Sequence, residues 1–237
     1  MNAKRQNPDS QRPFVFINMA MTADGKIATA SRAVHSFGSA RDLAHLYELR
    51  ATADAILCGA RTVEISDATL GNGGEKYGRV RLRRGLAKFP LRVVVSGSGS
   101  IDPASRIFEQ HFSPIVLLTT RRASQKKLRV LQKLVDEIKI CGEAQINFWV
   151  ALRWLRAKWG VKRLLCEGGG ELNDALIRSD LVDEVHLTIC PKIFGGRHAP
   201  TIADGLGLDR LVDAAKFNLT AFRRQKDELF TAFFRQK

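Results

Sequence analysis

A short apolar run from Val161 to Cys166 is followed by Glu167 and then by three consecutive glycines, Gly168, Gly169 and Gly170, before a helical stripe of Leu172, Ala175 and Leu176 begins. Residues of these types in this order suit an anion. Glycine lets backbone approach a ligand where a Cβ would intrude, and the first amides of a helix face outward at the positive end of its dipole. Glu167 falls at the carboxyl end of a strand, where open α/β sheets hold their ligands. A tight strand-to-helix turn without a ligand fits the same residues, because an isolated glycine run is a weak motif. The logic recurs twice. Asp54 to Gly59 is an apolar strand, and Ala60-Arg61-Thr62-Val63 opens a helix directly after its glycine, placing Thr62 among the free amides of a first turn. Leu91 to Val95 runs into Ser96-Gly97-Ser98-Gly99-Ser100, a hydroxyl-rich end that serves either an anion or a plain flexible turn.

Charged residues stand near these turns. Ser39 can cap a helix, with Asp42 three residues on, and Leu43, Leu46, Tyr47 and Arg50 share one face at helical spacing. Arg50 is thus a charge on an apolar face. An unpaired guanidinium is too costly to bury, so Arg50 either meets an internal carboxylate or points into an anion site. Asp24-Gly25 forms a turn after the apolar run Pro13 to Ala20 and before Lys26.

The elements that must position these residues alternate. Gly71 to Gly78 reads as a flexible loop, Pro114 to Thr120 as a strand, Ala123 to Val135 as a helix and Glu137 to Cys141 as a strand. Phe148, Leu152, Leu155 and Trp159 mark the core face of a long helix, Glu184 to Ile189 is a strand, and the last residues form a hairpin turning near Lys226-Asp227. This pattern predicts an α/β fold, a mostly parallel central sheet flanked by helices with an antiparallel C-terminal hairpin.

The 237 residues suit one large or two small domains, and the absence of a linker favours a single domain over 13–237 behind a flexible basic tail at 1–12. No stretch has the length and apolarity of a signal peptide or membrane span, which points to the cytoplasm. The four cysteines sit in or beside apolar runs and read as buried reduced thiols. The five histidines show no ligand spacing, so no metal is expected. A net charge of +14 concentrates at 79–88, 121–133 and 153–163. Much of it fits solvated helix faces, and no nucleic-acid motif accompanies it.

Together, MTADGKIA at 21–28, LRATADAILCGARTV at 49–63, CEGGGELNDALI at 166–177 and PKIFGG at 191–196 resemble the reductase domain of riboflavin biosynthesis. The resemblance implies a dihydrofolate-reductase-like fold, NADPH as cofactor, and hydride transfer that converts the ribosyl group of an aminopyrimidine ribosylamine 5′-phosphate to ribityl. It further implies a homodimer and, with no H-x-E and P-C-x-x-C pair in the sequence, a stand-alone reductase. Carried over by position, Ala20, Thr62, Ser66, Ser96 and the run Gly168, Gly169, Gly170, Glu171 and Leu172 contact the dinucleotide. Arg61 and Ser96 offer donors to a 2′-phosphate. Lys26, Arg50, Leu70 and Glu167 face the substrate, while Lys26 or a water beside Asp24 supplies the proton. The family's D-D-P element and following basic residue are missing at 66–73, leaving Lys76, Arg79 or Arg81 to hold the substrate phosphate, and the tryptophan that many relatives carry near Ser36 is also missing. Two alternatives stand beside this reading: an NADPH reductase of the same fold acting on a pterin-like or other heterocyclic substrate, and a non-catalytic nucleotide- or RNA-binding module.

Overall fold

A computed structural model describes residues 11–32 and 37–236. The chain runs β1 (Phe14–Thr22), α1 (Ala40–Arg50), β2 (Ala55–Gly59), α2 (Ala60–Ile65), α3 (Glu75–Arg83), β3 (Leu91–Val95), α4 (Arg106–Glu109), β4 (Ile115–Thr119), α5 (Gln125–Leu131), β5 (Glu137–Ile140), α6 (Phe148–Trp159), β6 (Arg163–Cys166), α7 (Gly170–Arg178), β7 (Glu184–Cys190), β8 (Phe217–Gln225) and β9 (Glu228–Arg235). All nine strands join one sheet in the order β5-β4-β3-β2-β6-β1-β7-β9-β8. Pairing is parallel from β5 to β7 and antiparallel in β7/β9 and β8/β9. The predicted α/β architecture and terminal hairpin are both present.

Strands such as β2 and β4 are buried throughout because helices cover both faces, which is why they read as unbroken apolar runs. Alternate side chains divide the core. Val15, Ile17, Leu57 and Leu164 pack under α6 and α7 with Leu152, Leu155 and Leu176. Ile56, Cys58, Val94 and Leu117 face the other way, against Val63 of α2, Ile107 of α4 and Leu131 of α5, and Phe14, Phe16 and Leu165 pack on Leu49 of α1. All four cysteines are free and buried.

Carboxylates stitch the amino ends of the parallel strands. Asp54 accepts from the Lys162 and Arg163 amides, Asp183 from Val15, and Asp136 from Ile115, at 2.7–2.8 Å. They satisfy amides that the ladders leave open, and the carboxyl ends remain for a site.

Several sequence expectations need correction. Only 71–74 is loop; from Glu75 the chain is α3, with Gly74 at φ +107° before it and Tyr77 and Arg81 buried one turn apart. The helix expected over Ala123 to Val135 is only α5, capped by the Ser124 hydroxyl. Arg12, assigned to a flexible tail, pairs with Asp183 at 2.8 Å; residues 1–10 lie outside the described residues. The buried face of α1 carries His45, Leu49 and Arg50, while Leu43 is exposed, because the helix leans on Phe14 and Phe16 through its second half.

Candidate active site

The strands reverse their order of addition around β6, which lies between β2 and β1, and the carboxyl ends of these three strands meet where such sheets open a crevice. The Glu167 amide prolongs the ladder to Leu57 O at 2.9 Å, and Gly59 N donates to Gly168 O at 2.8 Å, so the β2–α2 and β6–α7 turns are bonded to each other. Gly168 has φ +82° and the Gly168–Gly169 peptide is cis. A Cβ would stand 2.9 Å from Met19 Sδ at Gly168, 2.9 Å from Thr62 Oγ1 at Gly169 and 2.5 Å from Thr201 O at Gly170. The triplet is therefore required by close approach to β1, α2 and the segment after β7. Leu172 N and Asn173 N both return to Gly169 O at 3.0 Å, while the amides of Gly170 and Glu171 precede the helical ladder.

Arg50, at the last turn of α1, meets Glu167 in a fork: Nε donates to Oε1 at 2.7 Å and Nη2 to Oε2 at 2.6 Å. Its Nη1 donates to Gly71 O at 2.7 Å. Both side chains are about nine-tenths buried. The sequence left an internal carboxylate and a ligand site as alternatives for Arg50, and the partner is the very carboxylate that the strand end presents. A two-point guanidinium–carboxylate contact fixes direction as well as charge, so Glu167 is a fixed acceptor beside the glycine turn.

The remaining residues divide. Asp24 accepts from the Thr22 hydroxyl, from Gly195 N at 2.7 Å and from Phe194 N at 3.2 Å. The Thr22 bond, aided by the two amides against the opposing pull of burial, holds its carboxyl below the usual range. Asp24 is therefore an ionised tie between the β1 turn and residues 194–195. Lys26 leaves the same turn and its Nζ donates to Ala199 O at 3.2 Å. Ala20 lies half-buried near the carboxyl end of β1. Thr62 stands against Gly169, Arg61 is exposed one residue earlier, and Ser66 is exposed with its hydroxyl on Thr62 O at 2.6 Å. Ser96 follows Val95, which pairs with Gly59, so it lies beside the start of α2; its hydroxyl donates to Ser100 O at 3.1 Å.

Two site expectations and one phosphate candidate are corrected by burial. Leu70 is 1% exposed and packs with Ile56 and Val63, so its side chain belongs to the core. Leu172 packs in the opposite core layer, leaving only its backbone at the turn. Arg81, proposed to hold a phosphate, is 1% exposed. The position near Ser36 falls outside the described residues.

Sequence reasoning missed the strap after β7. Ile27 N donates to Pro200 O at 2.9 Å, Asp204 N to Gly170 O at 3.0 Å, and the buried Asn173 amide to Ile202 O at 2.8 Å. The strap thus ties the Lys26 turn to the start of α7. Its bonds are mostly to backbone carbonyls, which no side-chain pattern announces.

The model of the RibD C-terminal domain family matches residues 13–229. A protein of Methanothermobacter thermautotrophicus is 36% identical over 208 residues, covering 88% of this chain and 91% of its own, and one of Archaeoglobus fulgidus is 37% identical, covering 82% and 87%. Both are named 2,5-diamino-6-ribosylamino-4(3H)-pyrimidinone 5′-phosphate reductase. Among solved structures, a pyrimidine reductase-like protein of Corynebacterium diphtheriae superposes with TM-score 0.78 at 21% identity, over 95% of this chain and 92% of that one. RibD of Acinetobacter baumannii gives 0.76 at 19% identity over 95% of this chain and 58% of its own, a likeness of fold.

Proposed function

The chain belongs to the RibD C-terminal domain family and is a reductase, which implies a nicotinamide cofactor; from that premise we propose that it uses NADPH to reduce a pyrimidine ribosylamine 5′-phosphate to the ribitylamine. One observation carries the reading: the fixed Glu167 carboxylate stands directly before a side-chain-free turn that is bonded to a second strand-to-helix turn.

The residues fit a dinucleotide. The space at Gly169 is one that a Cβ would fill against Thr62, and the Gly170 and Glu171 amides offer donors for a pyrophosphate. Arg61 and Ser96 are the candidates for a 2′-phosphate. NADPH bound there supplies a hydride to C1′ of the ring-opened sugar, and the balance is completed by one proton, giving ribitylamine and NADP⁺.

The protein's own groups bind and orient. Glu167, its charge matched by Arg50, accepts hydrogen bonds from sugar hydroxyls or the pyrimidine amino group. Asp24 is held ionised by its donors, so the proton is assigned to Lys26. Lys76 and Arg79, both exposed on α3, are the remaining candidates for the substrate phosphate. Alignment of the reacting carbons and exclusion of water account for the catalysis. A homodimer belongs to the same proposal, and sedimentation equilibrium tests it.

The test is oxidation of NADPH, followed by absorbance, with the phosphorylated ribosylaminopyrimidine and with its dephosphorylated form. We expect turnover of the first and a strongly raised KM for the second. Equal activity on both would favour a reductase for another heterocycle. Glu167→Gln should lower kcat/KM for the pyrimidine by about 10²-fold, the cost of losing a charged hydrogen bond to substrate, with the NADPH Kd unchanged.

A further inference from the structure

Arg81 is among the largest fully buried side chains of the protein, and its guanidinium binds only carbonyls. Nη1 donates to Arg50 O and to Ala53 O, both at 2.6 Å, and Nε donates to Ala87 O at 2.8 Å. Burial draws its pKa down to about 10, partly offset by Asp54, so it remains a cation at neutral pH. A buried cation needs such partners, and two of the three belong to the last residue of α1 and the segment just after it. They are orphan carbonyls at the negative end of a helix dipole.

The residue whose carbonyl Arg81 grips is Arg50, and all three nitrogens of the Arg50 side chain are in use: two on Glu167 and one on Gly71 O. The backbone of residue 50 is thus set by Arg81, and its side chain in turn sets Glu167. The loop between Gly71 and α3 closes the frame. Asn72 is buried, with its amide on Lys88 O at 2.9 Å and its oxygen accepting from Gly74 N at 3.0 Å, and a Cβ at Gly73 would stand 2.3 Å from the Tyr47 ring.

We propose that Arg81 is a positioning residue for the reduction, holding the end of α1 so that the Arg50 fork presents Glu167 to the substrate. This rests on the reading of Glu167 as a substrate acceptor. A lysine at 81 would keep the charge but place it at one point, where the guanidinium spans three carbonyls. Angular freedom at residue 50 then reaches Glu167 at the end of a long lever, and misplacement of about 1 Å costs on the order of 10²-fold in rate.

The experiment compares Arg81→Lys, Arg81→Met, Glu167→Gln and the double variant Arg81→Lys/Glu167→Gln. It is run at a temperature where circular dichroism shows the parent, Arg81→Lys, Glu167→Gln and the double variant fully folded. For Arg81→Lys we expect kcat/KM for the pyrimidine phosphate to fall by about 10- to 100-fold, with the NADPH Kd at the parent value. The double variant should be no slower than Glu167→Gln, because both changes remove the same presentation. Parent kinetics in folded Arg81→Lys, or losses that multiply in the double variant, would overturn the positioning role even if melting temperature dropped. Arg81→Met, which removes the charge, serves as the stability control. If instead Glu167→Gln itself kept parent kinetics, the reading of the site would fail, and the inference with it.

Discussion

Burial at single residues here means partnership. His45 sits at 7% exposure between the His186 ring, 5.8 Å away, and Phe230, 5.4 Å away. Burial, with the neighbouring His186 reinforcing it, pulls its pKa down to about 4 against a weaker upward pull from Glu48. Unfolding releases it to its ordinary value near 6.5. Between these values the unfolded chain binds more protons, so stability rises with pH through that window and is fully present above it. The contribution lost on acidification to pH 4 is up to about 3 kcal/mol, from a shift of roughly 2.5 units at 1.36 kcal/mol each. Urea unfolding from pH 7 to pH 4 should therefore show a falling free energy, and His45→Gln should flatten it; an unchanged slope would mean that His45 does not carry the acid sensitivity. Arg50 was legible at this scale, since a charge on an apolar helix face had to find an anion. Arg81 was not, because an arginine served only by carbonyls has no complementary side chain to betray it.

At the scale of elements, the apolar strands and the glycines closing β2 and β6 were readable because continuous burial and absent side chains both leave composition signals. The inward face of α1 was misread: His45 replaces an aliphatic residue where α1 meets β7 and β9, and the helical stripe drawn through Leu43 points to solvent. The strap after β7 was invisible for a different reason, since its meeting with the Lys26 turn and α7 is made by backbone across long stretches of chain. That meeting predicts a contrast between glycines. At Gly170 an added Cβ would stand 2.5 Å from the Thr201 carbonyl and 2.8 Å from Asp204, whereas at Gly97 the nearest atom is 3.8 Å away. Gly170→Ala should cost about 1–3 kcal/mol by overpacking and weaken NADPH, because strap and α7 must separate. Gly97→Ala should stay within about 0.5 kcal/mol of the parent. Urea unfolding of the two variants distinguishes them, and equal stabilities would show that the strap yields without resistance.

For the molecule as a whole, the thiols and the charge give opposite expectations about access. All four thiols are buried, and burial raises Cys58 far above its ordinary pKa, Cys166 and Cys190 to about 12 and Cys141 to about 11. Since the thiolate is the reactive form, native protein should resist alkylation at pH 8 and take up four equivalents only on denaturation; rapid native labelling would reveal local opening. The charge, by contrast, is outside. Within the net +14, residues 121–133 carry six cations and no acid, all six exposed. Lys127 reaches the loop after β3 through Ser100, and that loop begins beside α2, where the proposed dinucleotide site lies. Such an edge raises the local concentration of an anion and speeds its arrival. Between about 0.1 M and about 1 M salt the screening length shrinks from ~10 Å to ~3 Å, so the KM for NADPH should rise several-fold. The KM for NADH, which lacks the 2′-phosphate, should rise less. Lys126→Glu with Lys133→Glu, positions outside the site itself, should flatten the salt dependence for NADPH while leaving kcat at saturation unchanged. Parallel salt curves for the two cofactors would show instead that the basic edge takes no part in gathering the dinucleotide and serves only as a solvated surface.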